Sequence, residues 1–328
     1  MTSQQARAFW VTSPGSGAIR EETLPVQGGS DAIVRTLFSG ISRGTESLVF
    51  CGHVPAAEYR RMRAPFQAGD FPAPVKYGYS NVGAIESGPA DLVGSTAFSL
   101  FPHQTRFVIP ASALYVLPDE VPPSRAVLAA NMETAVNGVW DAAIQPGDHV
   151  AVIGGGAVGC LVAWLAGRIP GAEVCLVDIN AGRAPIASRL GVRFALPAQA
   201  PQEQDVVIHV SGTAQGLELA LSLAAFEAAI VEMSWFGTER ASLPLGEAFH
   251  ARRLTIRSSQ VGHVATRQRP RWDYRRRMEF AISLLDEPAL DALVTGESDF
   301  DELPSVMPEL ASGARDAICH RIRYPEHT

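Results

Sequence analysis

The chain has 328 residues, 47% hydrophobic and 19% charged, with a formal net charge of −7. Its length suits two domains of roughly 100–200 residues each. The acidic balance argues against nucleic acid as the partner, and no apolar run reaches the roughly 18 residues of a membrane helix.

The opening residues Met1-Thr2-Ser3-Gln4-Gln5-Ala6-Arg7 lack the apolar core of a signal peptide, so a cytoplasmic protein is expected, with neither membrane nor nucleic acid as partner. The cysteines, Cys51, Cys160, Cys175 and Cys319, form no CxxC pair. That excludes a zinc ribbon and speaks against a disulfide framework. Cys160 and Cys175 fall inside apolar segments and read as buried thiols.

In chain order, the first 120 or so residues are rich in glycine, proline and short β-type runs, at 33–38, 82–85 and 105–109. Turn residues such as Gly28-Gly29-Ser30-Asp31 separate them, which predicts a mainly antiparallel, barrel-like domain. Residues 53–76, with Arg60, Arg61, Arg63 and several prolines, read as a short helix and a long loop. The texture changes at Pro122-Pro123-Ser124, where Ser124 is placed as a helix N-cap; Leu128, Met132, Ala135, Val139 and Ala143 then recur at helical spacing. Strands are expected at 149–153, 173–177, 205–210, 229–233 and 254–257, alternating with helices. Such alternation predicts a parallel sheet covered on both faces. Beyond Gln260, residues 272–285 look helical, Leu310 sits near the end of another helix, and 317–322 read as a closing strand. The expected division is a catalytic domain of residues 1–123 and 261–328, with a nucleotide domain of 124–260 inserted in it.

The strongest local signal is Val152-Ile153-Gly154-Gly155-Gly156-Ala157-Val158-Gly159, a GxGxxG directly after a strand and before a helix. Gly154 permits a tight turn, Gly156 lets backbone amides approach a pyrophosphate, and Gly159 lets helix and strand pack closely. Ala157 and Val158 bring the free N–H groups of the helix N-terminus. The next expected strand ends at Asp178, whose carboxylate can accept from adenosine ribose hydroxyls and would repel a 2′-phosphate. Its neighbour Ile179 belongs to the same coenzyme site. This favours NAD over NADP, although Arg183 nearby is a cation that could tolerate the phosphate.

The ordered set of motifs resembles the medium-chain dehydrogenase/reductase superfamily, the zinc-type alcohol dehydrogenase relatives. It runs through Ser39-Gly40-Ile41-Ser42, Tyr77-Gly78-Tyr79-Ser80-Asn81-Val82-Gly83, Gly147-Asp148 and Val177-Asp178-Ile179-Asn180, then Val210-Ser211-Gly212 and Leu254-Thr255-Ile256-Arg257-Ser258-Ser259. The segment from Gly40 to Glu46 is similar to bacteriochlorophyllide side-chain dehydrogenases. The resemblance implies an α/β protein: a GroES-like β-rich catalytic domain plus a Rossmann doubly wound nucleotide domain, assembled as a homodimer.

It also implies a zinc-free site. Ser42 or Arg43 stands where zinc-bearing members carry a cysteine ligand, and Tyr79 and Ser80 replace the histidine and glutamate of GHExxG. Glu133 lies where some members place a carboxylate near the metal; alone it is not a site, because catalytic zinc needs about three protein ligands. Hydrogen-bond donors must then stabilise the charge that hydride transfer builds on oxygen. Tyr79, Thr45 and Ser42 are the expected catalytic residues; Arg43 and Ser211 are assigned to the coenzyme. Lys76, His103, Glu133, Trp235 and His263 are candidates for the substrate, and His209, inside an apolar strand, reads as core. His103, between Pro102 and Gln104, reads more often as a surface loop residue, and the six arginines from Arg267 to Arg277 as a solvated helix face, with a patch for an anionic substrate as the alternative. An NAD(H)-dependent dehydrogenase acting on an alcohol/carbonyl pair is the expected function. A C=C reductase and a non-catalytic NAD sensor are the alternatives.

Overall fold

The computed structural model describes residues 5–325 and divides into two units. One comprises Met1–Ala130, Ile282–Glu287 and Val294–Thr328; the other comprises Asn131–Ala281 and Pro288–Leu293.

The first unit is built on two sheets of mostly antiparallel strands. In the seven-stranded sheet the long strand Asp31–Ile41 pairs antiparallel with Asn81–Ser87, Arg106–Pro110 and the returning strand Cys319–Arg323. Ser39 thereby lies opposite both Asn81 and Ile322. The last strand pairs parallel with Val294–Asp299. The side chains of Ala32, Val34, Ile85, Phe107 and Ile109 form one core under this sheet, as the alternating sequence pattern requires. The short helix Arg43–Phe50 leaves the end of strand Asp31–Ile41 and buries Glu46, Val49 and Phe50 on one face.

The second unit holds a six-stranded parallel sheet. Its order across the sheet is Arg193–Ala195, Glu173–Val177, His149–Ile153, Gln204–His209, Ala224–Glu232, Thr255–Ser258. This is the doubly wound order 3-2-1-4-5-6, whose direction of winding reverses between the first and fourth strands. Helices Ala157–Ala166 and Ala214–Leu223 run back along it. The strands are near-continuous apolar runs because both faces are covered: Val150 through Ile153 and Val174 through Val177 are all buried.

The structure moves two boundaries. Ser124 is not a cap: Pro122 precedes a one-turn helix, Pro123–Ala126, and a separate helix runs over Ala129–Ala142. Proline suits that first position because the missing N–H has no intrahelical acceptor there anyway. The units also part at 130/131 and 281/282 rather than at 123/124 and 260/261. Residues 124–130 join the first unit, where Ser80 Oγ donates to Val127 O at 2.5 Å and Arg321 to Ser124 O at 2.9 Å. Residues 261–281 join the nucleotide unit through Arg277. That buried guanidinium, 2% exposed, donates to Glu133 Oε1 at 3.0 Å, Asn137 Oδ1 at 2.7 Å and Val261 O at 2.6 Å. Among the described residues no helix is long and apolar enough to cross a membrane.

Candidate coenzyme and catalytic sites

The glycine loop follows strand His149–Ile153, and helix Ala157–Ala166 starts from Gly156 as its N-cap. Gly154 has φ +117°, and a Cβ there would fall 2.8 Å from the Ser211 backbone nitrogen; a Cβ at Gly159 would overlap the Gly154 carbonyl oxygen. Both positions therefore demand glycine. Gly156 faces open space, with nothing within 4 Å of where its Cβ would stand. The first-turn amides of the helix have no intrahelical acceptors. A cradle of N–H groups with room beside it fits a pyrophosphate.

Asp178, at the end of strand Glu173–Val177, shapes this loop. Its Oδ2 accepts from Gly155 N–H at 2.5 Å and its Oδ1 from Asn180 N–H at 2.7 Å. A carboxylate oxygen has two lone pairs, so both oxygens keep one for ribose hydroxyls. Ile179 beside it is a large apolar side chain left 85% exposed, a ready platform for an adenine ring. Arg183 is buried with its Cγ against Gly155, on the same side as the Asp178 carboxylate. Beneath the loop, burial pushes the Cys160 thiol up to about 12, with Asp178 adding to the shift and Arg183 opposing it. Cys160 stays a thiol and donates to Gly155 O at 3.5 Å.

Ser211 follows the next strand of the sheet, Gln204–His209, and is tied back to it. His209, fully buried, meets Ser211 Oγ through Nε2 at 2.7 Å and Glu232 Oε2 through Nδ1 at 2.5 Å. Glu232 Oε1 accepts from Ser234 N–H at 2.6 Å, and Ser234 Oγ accepts from Gly212 N–H at 3.0 Å. His209 is buried as expected, but it is a partnered polar residue rather than filler. Trp235 stands half-buried just beyond, and the ring of Phe236 packs 6.2 Å from that of His209.

In the first unit, Tyr79 is half-buried, with the hydroxyl-bearing side chains of Ser42 and Thr45 and the Glu46 carboxylate near enough to act on its phenol. Burial, reinforced by the Glu46 carboxylate, pushes the phenol up to about 12; Ser42 and Thr45 pull the other way. No side-chain acceptor is bonded to the Tyr79 hydroxyl among the described residues, so its phenolic proton is available to a ligand. The Tyr77 ring meets Tyr79 edge-on at 5.9 Å. The residues that the structure adds here are Glu46, Ser39 and Tyr324. Glu46 Oε1 accepts from the Ser42 amide at 2.8 Å, and its Oε2 meets His103 Nε2 at 2.8 Å. His103 Nδ1 lies 2.7 Å from Ser39 Oγ, which lies 3.0 Å from the Tyr324 hydroxyl. All four side chains are buried. A carboxylate only accepts, so the protons point one way, from Tyr324 to Ser39 to His103 to Glu46.

Several expected substrate residues are corrected. His103 is neither a surface loop residue nor open to a ligand, being 2% exposed inside that chain. Lys76 is buried, donating to Glu22 Oε2 and Gln104 Oε1 at 2.7 Å each and sitting 5.6 Å from the Trp10 ring centre. Glu133 is buried against Arg277; burial raises its carboxyl while that guanidinium lowers it. The Arg267–Arg277 run is not simply a solvated face, since it ends in that buried pair. His263 is exposed, its amide closing a turn onto Gln260 O. Arg43 opens helix Arg43–Phe50, with an exposed ion pair to Asp316 at 3.5 Å. Of the expected ligand positions, Ser80 is buried and committed to Val127 O. Among the described residues no three His, Cys, Asp or Glu side chains gather as a metal-binding group.

No family model matches the chain. It is 27% identical over 206 residues to D-guloside 3-dehydrogenase of Escherichia coli K12, covering 59% of this chain and 57% of that protein. The chain thus spans a little over half the length of the curated relatives it matches first. Solved structures match over almost all of it. A protein of Sinorhizobium meliloti 1021 bound to NADP superposes with a TM-score of 0.77 at 18% identity, over 98% of this chain and 99% of that one. An alcohol dehydrogenase of Escherichia coli CFT073 complexed with NADH gives 0.76 at 17%, over 97% and 99%. The order of the parallel sheet and the glycine cradle agree with these likenesses: in sequence the chain is similar to zinc-type alcohol dehydrogenase-like proteins of the medium-chain dehydrogenase/reductase superfamily, and it has their fold.

Proposed function

We propose that the chain is an NAD(H)-dependent oxidoreductase that interconverts an alcohol and a carbonyl without a catalytic zinc, with the Tyr79 phenol as the donor to the reacting oxygen. The observation that carries this reading is the glycine cradle closed by Asp178 in the nucleotide unit; the first unit separately holds a phenol in its protonated form near Ser42 and Thr45. The amides of Gly156, Ala157, Val158 and Gly159 would hold the pyrophosphate, Asp178 the adenosine ribose, and Ile179 the adenine. The bound coenzyme would supply or accept the hydride. The Tyr79 phenol would hold a proton for the negative charge that develops on the substrate oxygen, with Ser42 and Thr45 close by.

The test is direct: NADH fluorescence titration for binding, then coenzyme reduction with a panel of secondary alcohols and sugars. A protein that binds NADH but turns over nothing in the panel would favour a sensor.

Two results should accompany it. Purified protein should carry well under one zinc per chain by elemental analysis, and chelators should leave activity intact; one tightly held zinc would overturn the metal-free reading. Relatives of this fold are seen with NADP as well as NADH, so the choice rests on Asp178. Its negative charge should make NAD(H) bind more tightly than NADP(H). Asp178→Ser removes the charge and should narrow the gap by about tenfold or more. Tighter NADPH binding by the wild type in calorimetry would shift the assignment to Arg183.

A further inference from the structure

A dinucleotide bound in this fold straddles the point where the winding reverses, between strands His149–Ile153 and Gln204–His209. Asp178 stands on one side of the glycine loop, at the adenosine end. The nicotinamide end then falls on the other side, over the carboxyl ends of Gln204–His209 and Ala224–Glu232. There the loop touches Ser211, whose backbone nitrogen abuts Gly154.

The polarity of the Ser211 hydroxyl is set from behind. The Glu232 carboxylate only accepts, so His209 carries its proton on Nδ1 and points it at Oε2. With the ring proton on Nδ1, Nε2 is left as an acceptor, and the Ser211 proton is drawn inward to it. Thr213 Oγ1 lies 3.0 Å from Ser211 Oγ. What Ser211 presents outward is a lone pair. Gly216, in the first turn of helix Ala214–Leu223, keeps the space clear: a Cβ there would overlap Ser211 Oγ and stand 2.7 Å from His209 Nε2.

We propose that Glu232 and His209 are positioning residues that fix Ser211 Oγ as a hydrogen-bond acceptor at the nicotinamide end, where it takes a proton from the carboxamide NH₂. The proposal rests on the coenzyme reading above and deepens it: the site selects the amide of the nicotinamide ring, not merely a dinucleotide.

Glu232→Gln provides the decisive variant. The new side chain has the same shape, and its oxygen can still accept from Ser234 N–H. Its NH₂ must then face His209 Nδ1, which becomes an acceptor. The ring proton moves to Nε2, donates to Ser211 Oγ, and frees the serine proton to turn outward. One isosteric change thus converts an outward acceptor into an outward donor. The probes are NADH, reduced 3-acetylpyridine adenine dinucleotide, which replaces the amide NH₂ with a methyl group, and ADP-ribose, which lacks the ring altogether.

Wild-type protein should bind NADH about tenfold more tightly than the acetylpyridine compound, the worth of one good hydrogen bond. Ser211→Ala and Glu232→Gln should both bring that ratio to within about twofold, with ADP-ribose affinity unmoved. Nitrogen-15 spectra should place the His209 proton on Nδ1 in the wild type and on Nε2 in Glu232→Gln, a signature that a purely structural role would not produce. An unchanged ratio in both variants overturns the proposal, as does an unchanged tautomer. Equal weakening of NADH and the acetylpyridine compound in Ser211→Ala overturns it too, and assigns the contact to a ribose hydroxyl. Failure of the wild type to bind either NADH or ADP-ribose defeats the coenzyme reading itself. Intact ADP-ribose binding with no discrimination at the ring defeats only the proposal.

Discussion

Tyr79→Phe is expected to lower kcat by roughly 10²–10³, the cost of removing one well-placed donor to a developing oxyanion, while coenzyme affinity and Tm hardly move. The substitution keeps the ring that packs edge-on against Tyr77 and deletes only the hydroxyl. A change in kcat and kcat/KM together, with NADH affinity constant, would mark an interaction made in the transition state. If the ring merely fills space, phenylalanine should be tolerated in turnover and alanine should destabilise the unit; near wild-type kcat in Tyr79→Phe would pass the donor role to Thr45 or Ser42.

The pH profile adds a second check. Burial and the Glu46 carboxylate hold the phenol up to about 12, against about 10 for an exposed tyrosine. Tyr79 should therefore remain a donor, and no alkaline limb belonging to it should appear in kcat below about pH 11. The sign for stability follows. The folded state favours the protonated phenol, so its contribution is complete below about pH 10 and is lost as pH rises towards 12.

Arg277→Met is expected to destabilise the nucleotide unit by about 3–5 kcal/mol, because it strands a buried carboxylate without its partner. For a unit of this size that lowers Tm on the order of 10 °C by calorimetry. Three acceptors lose their donor at once: Glu133 Oε1, Asn137 Oδ1 and Val261 O. The Asn137 oxygen keeps the Ala265 amide at 3.0 Å, and the Glu133 carboxylate suffers most. Burial already raises Glu133 and Arg277 is what lowers it. Without the guanidinium the carboxyl should take up a proton more readily. A raised folded pKa favours the folded state at low pH and loses that advantage as pH rises. The deficit of Arg277→Met should therefore shrink between pH 8 and pH 5, and the further change Glu133→Gln should recover part of it at pH 8. A Tm within about 2 °C of the wild type would mean that the pair is dispensable.

Arg277 also shows what was readable but easily passed over. Arginine runs are usually solvated, yet Arg277, Ala281 and Leu285 are spaced by four, with Met278 and Ile282 beside them, and all five are buried. A charged residue on the apolar stripe of a helix implies a buried partner. Glu46 carries the same signal, aligned with Val49 and Phe50 on the buried face of helix Arg43–Phe50. The stripe shows that a partner exists; it does not say which residue. Glu46 finds His103 across 57 residues of sequence, and Ser39 finds Tyr324 across 285.

The parallel sheet, the glycine cradle and the acidic residue that closes it are legible in the order of residues alone. These features are local: a covered parallel strand is written as a short apolar run, and the turn that approaches a phosphate must be glycine at fixed spacing, whatever the rest of the chain does. Which polar groups meet inside follows only from the folded arrangement. His103, Lys76 and Glu133 looked open to a substrate from their positions in sequence, and each is instead consumed by a partner on another element. His209 reads as filler in the sequence and is instead bonded to Ser211 on one side and Glu232 on the other. The physical reason is common to all of them. A buried charge or ring nitrogen must be satisfied, but hydrogen bonding fixes only the distance and direction of its partner, and the sheet register that brings the two together is set by packing over the whole unit.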